Sequence, residues 1–221
     1  MKRHYLVLAL IILTCLTAYG QKSKVSCDCA KSMYAGTKAD TTFHMSNGKT
    51  IVLCGYKNPE SNPTDYSEFI LSVCGQDTII DFWGALKTCR LKVSKDTLLV
   101  QEIESLPLGK NFKYIPTHWS TEKIYFKGQK TLRKLFVNRQ IRKYSQDEIS
   151  QVLKTVENAK KGQDVDKEQI EYRLFIATIS GNKTARQYFT EYMTKFYPVG
   201  AADEEQYDYL VKMLKLWDKK A

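Results

Sequence analysis

Beyond its first twenty residues the chain has no long apolar run, so no later stretch is apolar and long enough for a membrane-spanning helix. Histidine is scarce: after His4 there are only His44 and His118. No HExxH pair, Gly-rich phosphate loop, G-x-S-x-G elbow or metal-spaced carboxylate cluster occurs. Their absence removes the sequence signatures of zinc peptidases, P-loop nucleotide enzymes and α/β hydrolases. No CxxC knuckle is present either, so a zinc site built on thiolates has no sequence support. Neither a metal nor any other cofactor is expected. A Cys-His hydrolase or other thiol enzyme would need an imidazole beside an activated cysteine. Nothing around Cys54 or Cys74, each followed by glycine, has that pattern.

What is present begins at the N-terminus. Met1-Lys2-Arg3-His4 is a basic head, residues 5–16 are apolar, and Ala18 and Gly20 place small residues three and one before Gln21. A basic head, an apolar run too short to span and a small-x-small end are the parts of a secretory signal peptide over residues 1–20, cleaved after Gly20. Lipidation at Cys15 is the weaker alternative, because Thr14 fits poorly before a lipid-modified cysteine. The mature chain is expected in the periplasm, on the cell surface or in the medium.

Five cysteines follow the signal, Cys27, Cys29, Cys54, Cys74 and Cys89. In an oxidising compartment they are read first as disulfides, and the odd count leaves one thiol over. Cys27 and Cys29 are too close to bridge each other. Cys54 and Cys74, each at a strand end before glycine, are the pair expected to join.

The remaining 201 residues divide by pattern. Residues 21–39 are polar and aperiodic, an N-terminal arm. From 40 to 144 short β segments alternate with turns. Residues 42–45 and 50–56 flank Ser46-Asn47-Gly48-Lys49, where Asn-Gly supplies the positive φ of a tight hairpin. Residues 68–74 and 78–83 form a second hairpin; 89–93 and 97–103 form a third, with Cys89, Leu91 and Val93 on one face and Arg90, Lys92 and Ser94 on the other. Further strands are expected at 111–115 and 123–126, with 116–119 between them, while 131–137 reads as a last strand or a helix start.

At Ser145 the period changes. Ser145-Gln146-Asp147-Glu148 is a capping box ahead of Ile149, Val152, Leu153 and Val156. A second helix opens at Asp166 and becomes apolar all round at 174–179. A third carries Ala185, Tyr188, Phe189, Tyr192, Met193 and Phe196 on one face, and a fourth Tyr207, Leu210, Val211, Leu214 and Trp217. The expected fold is α+β: an antiparallel β meander over 40–144, either a curled sheet or a small barrel, followed by a four-helix unit over 145–221.

Charge is concentrated in one place. Residues 107–144 carry 10 basic side chains against a single acid, Glu122, whereas the flanking parts are nearly neutral. Lys127, Lys130, Arg133, Lys134, Arg139, Arg142 and Lys143 lie among Tyr125, Phe126, Phe136 and Tyr144. Cations interleaved with aromatics suit a polyanion, here an anionic glycan or lipid headgroups; export disfavours nucleic acid. Asp40-Thr41-Thr42, Asp77-Thr78-Ile79 and Asp96-Thr97-Leu98 each resemble the Asp-Thr-apolar O-glycosylation tripeptide of Bacteroidetes envelope proteins. The expected role is non-enzymatic binding or structural work in a bacterial envelope through a basic face. Recognition of a protein partner by the C-terminal helices is the alternative, and hydrolase or thiol chemistry the second. Exported protein is expected to begin at Gln21 by intact mass; a diacylglyceryl-Cys15 species would contradict that cleavage.

Overall fold

The structure, a computed structural model, describes residues 27–32, 36–57, 65–85, 87–160, 167–192 and 204–219. The signal peptide with its cleavage site, Cys15, Asp166 and the end of the third expected helix lie outside the described residues. Eight antiparallel strands come first: β1 Thr41–His44, β2 Thr50–Lys57, β3 Asp65–Val73, β4 Ile79–Trp83, β5 Thr88–Ser94, β6 Thr97–Leu106, β7 Ile115–Lys127 and β8 Lys130–Val137. Four helices follow among the described residues: α1 Gln146–Lys160, α2 Lys167–Ile179, α3 Lys183–Thr190 and α4 Glu204–Asp218.

Local chemistry accounts for the connections. Gly48 takes φ +79° in the β1–β2 turn, the conformation for which an Asn-Gly step is suited. The capping box forms as expected: the Ser145 amide donates to Glu148 Oε2 at 2.9 Å and the Glu148 amide donates to Ser145 Oγ at 3.3 Å. Burial works to raise the Glu148 pKa. The hydrogen bonds from Ser145 and Arg142 outweigh it and hold the carboxyl below its ordinary range. Gly181, at φ +97°, turns the chain out of α2, and Asn182 then caps α3 by accepting from the Ala185 amide at 2.8 Å.

The strands run in the order β1-β2-β3-β5-β6-β7-β8, with β4 paired to β3 beside β5, and the sheet does not close. Ile51 and Leu53 of β2, Phe69 and Leu71 of β3, Leu91 of β5, Leu98 and Val100 of β6 and Ile124 of β7 nevertheless share one core. Side chains from strands so far apart in a sheet meet only if it curls. Hairpin tips converge accordingly, with the Ser46 amide donating to Lys95 O at 3.2 Å and Lys49 Nζ to Gln129 Oε1 at 2.7 Å. Gly55 sits at the register shift between β2 and β3. A Cβ there would fall 2.4 Å from both Glu68 O and Phe69 Cβ, so no larger residue fits without backbone movement.

Two expectations about the strands are corrected. The strand expected at 111–115 does not form: a single 3-10 turn occupies Lys110–Phe112, and only Ile115 is in a strand, as the first residue of β7. Residues 116–119 do not connect two strands but lie inside β7, which is continuous for 13 residues. What hid this continuity is a bulge. Glu102 pairs with Ser120 and Ile103 with His118, leaving Trp119 as the extra residue. The bulge puts Trp119 and Ser120 on the same inner face and breaks the period-two pattern there.

Beyond the bulge that inner face becomes the platform for the helices. Leu106, Leu108 and Trp119 belong to one core with Val152 and Val156 of α1, Phe175 and Ile176 of α2, Phe189 of α3 and Leu210 and Met213 of α4. Trp119 meets Phe175 edge to face at 5.3 Å. Tyr172 Oη donates to Glu104 Oε1 at 3.1 Å and Tyr209 Oη to Glu102 Oε2 at 3.0 Å, tying α2 and α4 to β6.

The N-terminal arm covers the outer face of β2 and β3. Its two cysteines form the disulfides Cys27–Cys74 and Cys29–Cys54 over Val52 and Ile70. Cys54 and Cys74 are therefore both half-cystines, but the expected bridge between them is wrong. Cys54 lies opposite Ile70, while the Cys74 amide bonds Thr50 O, four residues away along β2. Four residues of strand separate them by roughly 13 Å, about twice the Cα spacing a disulfide accepts. Cys89 is the free thiol among the described residues and is fully buried. Peptide mapping without reductant is expected to recover 27–74 and 29–54 linkages, with Cys89 alkylated only after denaturation; labelling of Cys89 in the folded protein would contradict its burial.

Candidate functional site

The β7–β8 hairpin distributes the basic stretch, and its register fixes which way each side chain points. Gly128-Gln129 forms a two-residue loop, so Lys127 and Lys130 face each other and the strands alternate from there. Arg133, Leu135 and Val137 share the inner face with Ile124, Glu122 and Ser120, while Leu132, Lys134 and Phe136 share the outer face with Tyr125, Lys123 and Thr121.

The seven sequence candidates consequently separate. Arg133 is spent inward: it binds Glu122 through Nε at 2.7 Å and Nη2 at 2.9 Å, reaches Asp81 of β4, and lies 5.7 Å over the Trp83 ring. These contacts, chiefly the hydrogen bond to Glu122, push its pKa further up. Arg139 closes the far end of α4, donating to Leu216 O and Lys219 O with its guanidinium 5.6 Å over Trp217. Arg142 pairs with both oxygens of Glu148 and donates to Leu108 O at 3.1 Å. All three arginines hold elements together. Lys127, Lys130 and Lys134 remain exposed on the outer sheet face, and Lys143 is exposed in the link to α1.

The outer face gains two lysines that sequence reasoning left out. Lys123 lies opposite Lys134, and both ammonium groups sit over the Phe136 ring, at 4.7 and 4.8 Å. Lys92 of β5 lies opposite Leu99 of β6, and Leu99 opposite Lys123. Lys92, Lys123, Lys127, Lys130 and Lys134 make no ion pair among the described residues. Arg90, on the same face, is taken by Asp65 at 2.7 and 3.0 Å. His118 reports the resulting field. Burial first, then the positive charges of Lys92 and Arg90, lower its pKa despite a hydrogen bond to Ser120 O. The alternation at 89–93 carried the signal for Lys92; nothing in the sequence alone paired Lys123 with Lys134.

The inner face bounds a cleft of about 1280 Å³ between β4, β8 and α4. Its floor holds a polar network, in which Glu102 accepts from Lys87 Nζ at 2.8 Å, Ser120 Oγ at 2.9 Å and Tyr209 Oη. Cys89 lies beneath, its pKa pushed up to about 12 by burial and by Glu102. A thiol so placed stays protonated at neutral pH and makes a poor nucleophile, which weakens the thiol-enzyme reading. Among the described residues no group of three or more His, Cys, Asp or Glu could hold a metal ion.

No protein-family model, curated protein or solved structure matches the chain. Arg133 joins β4 to β7 and β8 where no backbone ladder does. Arg133→Ala leaves Glu122, largely buried, without its partner, a change costing about 1–2 kcal/mol. It is expected to lower the thermal midpoint by a few degrees and shift tryptophan emission through Trp83. Lys134→Ala, removing an exposed cation on the opposite face, is expected to do neither.

Proposed function

We propose that the protein is an exported, non-enzymatic binding protein of the bacterial envelope that holds an anionic glycan or lipid headgroups on the outer face of β5–β8. The observation that carries this reading is the set of five exposed lysines on that face, without carboxylate partners among the described residues and interleaved with Tyr125, Leu132 and Phe136. Ammonium groups set over an aromatic platform attract phosphate, sulfate or carboxylate groups while the rings contact a sugar or acyl surface. Two disulfides agree with an oxidising compartment and so support export. Recognition through the helices draws less support, because aromatic side chains of α3 and α4 turn inward. Phe189 and Tyr207 pack at 5.3 Å, and Tyr207 Oη donates to Phe189 O at 3.0 Å.

Retention on acidic phospholipid vesicles and on an anionic polysaccharide, each across a salt series, separates the two ligand sources. Binding to one of them is expected to fall steeply with salt, since exposed charges are screened beyond about 8 Å at physiological ionic strength. The combined Lys92→Glu, Lys123→Glu, Lys127→Glu and Lys130→Glu variant is expected to lose at least tenfold in affinity with its thermal midpoint little changed. Retention on neither probe at low salt, or retention untouched by the four reversals, would refute the reading.

A further inference from the structure

The sheet ends in two strand edges that face each other without pairing. β4 pairs only with β3 and β8 only with β7, and among the described residues no strand joins either outer edge. Consecutive residues of both strands, 81–83 and 133–137, line the same cleft, so its sides are the strand edges themselves. Lys127–Lys130 closes the two-residue hairpin as a hydrogen-bonded pair. Alternation then turns the amides of Thr131, Arg133, Leu135 and Val137 away from β7, toward the cleft. On the other side the Phe82 amide donates to its neighbour Asp81 Oδ1 at 2.8 Å. Only side chains cross the gap, where Arg133 meets Asp81.

The charge of the cleft selects the occupant. Its carboxylates Asp81, Glu122 and Glu102 are already ion-paired with Arg133 and Lys87. Lys212, Lys215 and Lys219 line it with no ion pair among the described residues, against one unpaired carboxylate, Asp208. Lys212 and Lys215 of α4 and Lys219, just past its end, fall at i, i+3 and i+7, and the Lys219 amide still bonds Lys215 O, so they present one row of cations along the cleft. We infer that this cleft receives an extended acidic peptide segment of a partner protein, which adds a strand between β4 and β8 and sets its carboxylates against the α4 lysines. Edge amides would supply affinity independent of sequence and the lysine row would select the sign of charge. This site is distinct from the outer lysine face and does not depend on it.

The probes are a short alternating Glu-Val peptide and the matching Lys-Val peptide, titrated against the full chain at low salt. The acidic peptide is expected to bind and to slow hydrogen exchange at Arg133, Leu135, Val137 and Phe82, and the basic peptide to do neither. Leu135→Pro removes an outward amide without touching the β7 ladder, and is expected to weaken the acidic peptide at least tenfold. Phe82→Pro tests the opposite edge should Leu135→Pro disturb folding. Lys212→Glu, Lys215→Glu and Lys219→Glu together are expected to abolish binding. No binding of the acidic peptide, or binding unaffected by both proline variants, would overturn the inference. So would binding lost only in the Lys92, Lys123, Lys127 and Lys130 reversals, which would assign the peptide to the outer face instead.

Discussion

One extra residue in one strand organises this molecule. Without the bulge at Trp119, the inner face of β7 would alternate unbroken from Ile124 to its start, and Trp119 would point outward. The bulge makes neighbours of two side chains with opposite tasks. Trp119, fully buried, becomes the floor of the helical core, and Ser120 joins Glu102 in the polar floor of the cleft. A single sheet can therefore curl around its own core at one end and carry four helices at the other. Burial of a tryptophan at such a junction is worth several kcal/mol, more than any of the surface ion pairs around it.

The helical layer is fixed to the sheet by polar contacts as much as by packing. Tyr172 and Tyr209 reach down to Glu104 and Glu102, carboxylates that a curled sheet would otherwise bury beside each other. Burial, and then the proximity of Glu102, raise the pKa of Glu104. The phenols, with their own pKa values raised chiefly by burial, donate into that negative spot. Each partner makes the other's burial tolerable, which is why the lysine-rich α4 stays over the cleft rather than swinging into solvent.

Much of the fold could be read from local chemistry. Asn47-Gly48 announced its hairpin, Ser145 and Glu148 their capping box, and residues 174–179 a central helix, because each signal is contained within a few neighbouring residues. What escaped was non-local. Residues 115–127 form one strand, but a bulge and Pro116 mask its period. The disulfides follow from which residues of β2 and β3 lie opposite, a register that cysteine spacing does not encode. The basic stretch was found by counting charge, yet counting could not separate Arg133, Arg139 and Arg142 from the lysines. Leu132, Leu135, Phe136 and Val137 are apolar on both faces of β8, so the strand's alternation was hidden. Glu102, Tyr209 and the α4 lysines of the cleft lie about a hundred residues apart and gave no common signal.

The two disulfides are nested, the 29–54 loop lying within the 27–74 loop, and both depend on cysteines separated by one residue. For a chain delivered N-terminus first, Cys27 and Cys29 compete for Cys54 as soon as it arrives, and only the second is correct. Cys89 arrives last, and until β5 pairs with β6 it can attack any bond already made. The arm thus seals the outer face of β2 and β3 through two bonds that only the paired register of those strands brings into line.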